Sequence, residues 1–320
     1  MDIAVVICTH NRANLLRETL DTLARARRPQ GVRAEVVVVA NACSDETPAL
    51  LSEAQQAPAW RDLNLRWIAE PRPGKSHALN RAIAETDAAA LCFIDDDQFV
   101  DQDFLPTLAA ALDANPEYGI LCGRIRPAWD GSEPAWVHAT GRYHIPIRPF
   151  PEYDFGDSPK EIPADHKLPS GGNITVRRWV FEQVGCFSTE LGPQGHNLMG
   201  GEDHDFIQRC LANGVRILYV PGLKQLHAIE PERMRTGYML RKSYLRSLSA
   251  RRMSDEPPQG LRPYLVTRPV QYGLSALFTL NGNRRLYYLI RMAAALAELR
   301  AAMESPLRQS AATFGNKEEA

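Results

Sequence analysis

The chain lacks three things that would place it quickly: paired cysteines, long apolar runs and a charge excess. Its six cysteines (Cys8, Cys43, Cys92, Cys122, Cys186 and Cys210) are scattered, with no C-x-x-C and no Cys/His cluster at zinc spacing. A disulfide framework and a structural zinc site are thereby excluded, and reduced thiols in a cytoplasmic protein are the expectation. No uncharged apolar run reaches the roughly 18–20 residues that span a bilayer, so no transmembrane helix is expected. The chain opens directly on an apolar strand without a basic leader and long apolar core, so no signal peptide is predicted. A net charge of −1 over 320 residues leaves no electrostatic footprint for nucleic acid, and no such partner is expected. A P-loop is missing too, although Gly74-Lys75-Ser76 looks like the end of one. The glycine required five positions before that Gly-Lys pair is Ala69, and Pro71 and Pro73 remove amide donors from the loop.

What remains is an ordinary globular composition, 44% hydrophobic and 23% charged, with length for one sizeable core and an appended subdomain. Its charge is unevenly placed. Residues 230–310 hold fourteen Arg/Lys against six Asp/Glu, a net +8, which leaves −8 on residues 1–229. An acidic body with a basic C-terminal part fits contact with the inner face of an anionic membrane or with an anionic acceptor. A solvated helical face would read the same way.

The first hundred residues alternate between apolar runs and helical stripes. Ile3–Cys8, Glu35–Val39, Leu65–Ile68 and Leu91–Ile94 read as buried strands, separated by a stripe over Leu15–Leu23, a helix with Pro48 near its start, and a helix over 76–86. That order predicts an α/β fold with a mostly parallel central sheet flanked by helices. Residues 127–170 lose periodicity and gain Pro, Gly, Trp, Tyr and His, which suggests a long insertion shaping a pocket or lid. Regularity returns with a strand over 173–176, a helix over 178–184, a helix opening at Glu202-Asp203, and a strand over 215–220 stopped by Pro221-Gly222. The domains expected are a catalytic one over 1–228, a basic amphipathic helical region over 229–308, and a frayed tail over 309–320. The stretch Tyr264–Leu299 is too broken by arginines to span a bilayer but amphipathic enough to lie on one, or to pack on the body.

The most informative residues are Asp95-Asp96-Asp97 at the end of the fourth strand. Three adjacent carboxylates repel, and ligands of open α/β sheets bind outside the C-terminal strand ends. Taken alone, the triplet fits a divalent-metal site for a phosphorylated ligand or a solvated acidic turn. Three other loops converge on the same edge: Thr9-His10-Asn11-Arg12, Asn41 to Asp45, and Gly74-Lys75. Further motifs follow in Ser170-Gly171-Gly172-Asn173, Gly185-Cys186-Phe187, Gly201-Glu202-Asp203-His204-Asp205 and Tyr219-Val220-Pro221 with His227. Together, in this order over residues 3–230, these motifs resemble family 2 glycosyltransferases of the GT-A fold.

The resemblance implies an inverting transfer from a nucleotide-diphosphate sugar to a carbohydrate, lipid-linked or small-molecule acceptor. Under it the triplet is a D-x-D element, with Asp97 and Asp95 at an Mg2+ or Mn2+ ion and Asp95 and Asp96 on the donor side. Thr9, Asn11, Arg12, Asn41, Asp45, Gly74 and Lys75 would bind the donor nucleotide. Gly171, Gly172 and Asn173 would lie against the sugar and acceptor, and His227 matches a further metal ligand, although such a histidine is equally a core group. Asp203 would be the catalytic base with Glu202 orienting the acceptor. The helix dipole alone also favours two acids there. One departure is Ala40, where the family commonly has an aspartate that contacts the nucleobase. The choice of base, the sugar and the oligomeric state stay open. The alternatives are a silent nucleotide-sugar-binding module of the same fold, or a nucleotidyltransferase, which should show a Gly-rich basic loop after the first strand.

Overall fold

The computed structural model describes residues 2–192, 201–252 and 262–315. Two compact units emerge, Met1–Ala128 with Phe150–Ile229, and Trp129–Pro149 with Glu230–Ala320.

The first unit starts with β1 (Asp2–Thr9), α1 (Ala13–Arg25), β2 (Arg33–Asn41), α2 (Thr47–Ala54), β3 (Leu65–Glu70), α3 (Lys75–Ala84) and β4 (Ala90–Asp95). It continues through β5 (Gln98–Val100), α4 (Phe104–Ala114), β6 (Ile120–Pro127), β7 (Lys160–Glu161), β8 (Asn173–Arg177), α5 (Arg178–Val184), α6 (Glu202–Ala212) and β9 (Ile217–His227). The strands form one sheet of order β3-β2-β1-β4-β8-β6-β9-β5, with β7 also on β9. Strands β1 to β4 pair in parallel, as their helical crossovers require. Beyond β4 the sheet is mixed: β8 lies antiparallel between β4 and β6, and β5 and β7 run antiparallel to β9.

Strand alternation divides the core in two. Ile3, Val5, Ile7, Val36 and Val38 turn to one face, where Leu16, Leu20 and Leu23 of α1 and Phe104, Leu105 and Leu108 of α4 cover them. Ala4, Val6, Val37, Val39 and Phe93 turn to the other, against α3, α5 and α6. Both faces of the sheet are thus covered, so its first strands are apolar throughout.

From sequence the last strand stops at Val220, but it runs on to His227. Its pairing with β6 jumps from Gly123–Val220 to Arg124–Lys224, so Pro221, Gly222 and Leu223 form a bulge, a position that tolerates proline. Gly123 permits the bulge, because a Cβ there would sit 2.2 Å from the Leu223 carbonyl oxygen. The continuation places His227 opposite Gln98 on β5.

The second unit is helical, with α7 (Thr236–Arg252), α8 (Pro263–Phe278) and α9 (Gly282–Gly315). Residues 129–149, drawn from sequence into the catalytic domain, cluster here instead. Tyr143 packs edge-on at 5.6 Å and 5.9 Å from Tyr287 and Tyr288, and Lys242 Nζ donates to the Arg148 and Pro149 carbonyls at 3.0 Å. Among the described residues no helix is long and apolar enough to cross a membrane. The tail expected from Gln309 is helical to Gly315, and residues 316–320 lie outside the described residues.

Phe206 is wholly buried and lies 5.4 Å from the Phe181 ring and 4.5 Å from the Phe187 ring. Phe206→Ala is expected to cost about 3–5 kcal/mol. The measurement is a urea titration, whose midpoint should fall with little change in slope.

Candidate active site

The triplet leaves β4 at the C-terminal edge of the parallel strands, and each carboxylate meets a cation from another loop. Asp95 Oδ1 lies 2.6 Å from Lys75 Nζ. Arg12 spans the other two, with Nη1 at 2.8 Å from Asp96 Oδ1 and Nη2 at 2.8 Å from Asp97 Oδ2. The repulsion that the sequence assigned to a metal is therefore relieved in good part by protein cations. Thr9 Oγ1 donates to Asp96 Oδ2 at 2.7 Å, and Thr19 Oγ1 donates to the Asp96 carbonyl at 3.0 Å. Asp96 is buried, and burial raises its carboxyl pKa against the pull of Arg12. Lys75 moves the other way: burial alone would favour its neutral amine, but Asp95, Glu202 and Asp203 push its pKa well above the ordinary lysine range. It is a fixed positive charge among carboxylates.

The predicted donor loops are tied to one another. Asn11, in the left-handed region at φ 54°, accepts from the backbone N–H of Ser44 at 2.7 Å and of Asp45 at 3.2 Å. Asp45 in turn accepts from the N–H groups of Ala13 and Thr47, joining the starts of α1 and α2. Asn41 donates to the carbonyls of Glu70 and Arg72 and accepts from the Gly74 N–H at 2.9 Å. Its side chain shapes the loop that presents Lys75. Ala40 is buried and packs in the core.

The acidic pair approaches from α6. Asp203 Oδ2 accepts from the Gly171 N–H at 2.8 Å, and a Cβ on Gly172 would sit 2.5 Å from Asp95 Oδ2. Asp203 and Asp95 thus come to neighbouring residues of one loop. Glu202 is 3% exposed, and among the described residues its Oε2 has no hydrogen-bond partner. Burial raises the Glu202 carboxyl, with Lys75 opposing. Asn173 has a different place from its neighbours: its Nδ2 donates to the Arg124 and Leu223 carbonyls, sewing β8 to β6 and to the bulge of β9.

A metal was expected at Asp97, Asp95 and His227. Among the described residues no group of three His, Cys, Asp or Glu side chains is arranged to hold one. Asp95 pairs with Lys75, whereas Asp97 Oδ1 and His227 Nε2 lie 3.3 Å apart. His227 Nδ1 lies 2.7 Å from the Ala228 carbonyl, which can only accept, so Nδ1 carries the proton. In the neutral ring Nε2 would face the Asp97 carboxylate with its lone pair, an arrangement that a cation between them satisfies, whereas a charged ring would pair with Asp97 directly. A backbone carbonyl holding the far ring nitrogen is the usual support of a ligating histidine. One oxygen and one imidazole suit Mn2+ or Mg2+ when substrate oxygens complete the shell. The residues therefore fit a metal as a two-residue half-site.

Two buried amides escaped the sequence reading. Gln98 and Gln225, on β5 and β9, are buried and, among the described residues, have no hydrogen-bond partner for either amide atom. A Cβ on Gly172 would lie 2.3 Å from Gln98 Nε2. The only sequence signal was a polar residue directly after the triplet.

The family model described as Glycosyl transferase family 2 matches residues 4–185. A glucosyl-dolichyl phosphate glucuronosyltransferase of Haloferax volcanii is 23% identical, over 81% of this chain and 79% of its own. The succinoglycan biosynthesis protein ExoM of Rhizobium meliloti is 24% identical, over 82% and 78%. Among solved structures, the mannosyltransferase PcManGT from Pyrobaculum calidifontis, in complex with GDP-Man and Mn2+, superposes with a TM-score of 0.53 at 24% identity, covering 98% of this chain and 79% of that one. S. aureus TarS 1–349 with UDP-GlcNAc gives a TM-score of 0.55 at 16% identity, covering 97% and 92%. These likenesses confirm the GT-A fold.

Gly172→Ala is expected to separate Asp95 from the 171–172 loop while leaving the sheet intact. Circular dichroism should be unchanged and turnover should drop by about a hundredfold, the cost of a displacement near 1 Å.

Proposed function

The chain belongs to glycosyl transferase family 2, and from that premise we propose a metal-assisted, inverting transfer of a sugar from a nucleotide-diphosphate donor to an acceptor hydroxyl. One observation carries the reading: in the consecutive residues Gly171 and Gly172, the Gly171 N–H donates to Asp203 Oδ2 at 2.8 Å, and only the lack of a Cβ on Gly172 leaves room for Asp95 Oδ2. A single displacement needs a base on one side of the sugar carbon and leaving-group stabilisation on the other. We assign Asp203 to the first role and Asp95 with Lys75 to the second.

In this mechanism Asp203, steadied by the Gly171 N–H, takes the proton from the acceptor hydroxyl. The oxygen attacks the anomeric carbon from the face opposite the diphosphate, the bond to the phosphate oxygen breaks, and the configuration inverts. Glu202, with its unpartnered buried Oε2, orients the acceptor. Lys75 offers its fixed charge to the diphosphate, and Arg12 keeps Asp96 and Asp97 in place. Mg2+ or Mn2+ held by Asp97 and His227 would act as a Lewis acid on the leaving diphosphate. The names of the relatives support a lipid-linked or polysaccharide acceptor.

Two experiments test this. Asp203→Asn should lower turnover by about 10²–10⁴-fold while the thermal shift with a nucleoside diphosphate stays unchanged; full turnover would remove Asp203 as base. Across a panel of nucleoside diphosphates with and without Mn2+, the wild type should gain melting temperature only with both present. Asp97→Ala should lose that gain, and metal-independent binding would remove the half-site.

A further inference from the structure

Helix α8 has two apolar faces, and among the described residues of its own unit only one of them is covered. Leu265, Pro269 and Ala276 are buried, and Gly273 sits close against Met292 of α9. On the outer side Val266, Val270, Leu274 and Leu277 recur at helical spacing and are 51–69% exposed. The stripe runs on through Phe278, 78% exposed, to Leu280, fully exposed in the turn before α9. A contiguous outward apolar row of this kind marks an interaction surface rather than scattered surface residues.

The charges beside it indicate what covers it. From 257 to 297 there is no acidic residue, whereas Arg262, Arg268, Arg284, Arg285 and Arg291 fall in that span. The first four are exposed, two near the start of α8 and two just past Leu280. We propose that α8 docks the protein on an anionic phospholipid bilayer, lying in the headgroup layer with the Val266–Leu280 row turned to the acyl chains and the arginines on lipid phosphates. A second copy of the chain would suit this face poorly, because pairing would bring together four exposed arginines, Arg262, Arg268, Arg284 and Arg285, from each copy. Spanning is excluded by the helix itself, which is too short and too little apolar. A polar-rimmed apolar face of low overall hydrophobicity is what binds in the interface plane. The inference is independent of the catalytic reading and concerns residues outside the catalytic site.

The test is flotation of the whole chain with vesicles of phosphatidylcholine alone or with about 30% phosphatidylglycerol, since attraction to the surface scales with anionic lipid. The protein should float with the anionic vesicles only, and less so at high salt. Leu274→Asp/Leu277→Asp should lower partitioning by at least about tenfold, as loss of apolar burial requires. Arg268→Ala/Arg285→Ala should lower it by about 25-fold, at about fivefold for each arginine near the surface. All four positions are solvent-facing or partly so, and an unchanged circular dichroism spectrum confirms that the variants fold. No flotation with anionic vesicles, or flotation indifferent to both variants, overturns the proposal. So does a dimer seen by light scattering that Leu274→Asp/Leu277→Asp disperses.

Discussion

Three successive carboxylates at the end of a buried strand survive only if positive charge reaches each of them, and the organisation of this site follows from that need. Asp95 and Asp97 are separated by a single residue, so no one side chain serves all three. Lys75 comes from the start of α3 and Arg12 from the loop after β1, and between them they offset two of the three negative charges. Because both cations sit at the C-terminal ends of parallel strands, the sheet must bring those ends together before the triplet can be buried. Folding and site assembly are therefore coupled.

The same coupling explains why so many polar side chains at the site bond to protein. Asn11 and Asn41 present their amides to backbone groups of neighbouring loops, and Asp45 joins two helix starts. They build a frame from three loops that have no regular structure of their own. Beside that frame Lys75 pairs with Asp95, and Asp203 accepts from the Gly171 N–H. A preorganised set of charges is what acceleration of a charge-separating transfer needs.

Much of this was legible in the chain, and the legible part shares one property: it is local. Apolar runs and stripes marked β1 to β4 and their crossovers, and the triplet, Gly171-Gly172 and Glu202-Asp203 each stand out within a few residues. The course of β9 past Pro221-Gly222 was not legible, since proline and glycine normally stop a strand, and only the partner glycine at 123 shows that a bulge absorbs them. Residues 129–149 were misplaced for a related reason, because their partners are Tyr287, Tyr288 and Lys242, far along the chain. Gln98 passed unnoticed because a polar residue in a three-residue strand has no pattern to mark it.

By itself, the sequence determined the fold class, the strand-end position of the carboxylates and the identity of the family, because periodicity and short motifs depend on neighbours along the chain. Tertiary structure alone decided which charge answers which. It paired Asp95 with Lys75, set His227 beside Asp97 by way of a bulge, turned Asn173 into a stitch between strands, and left an apolar row of α8 exposed among the described residues. Pairings across tens of residues depend on where the sheet brings chain ends together, and no spacing in the sequence encodes that.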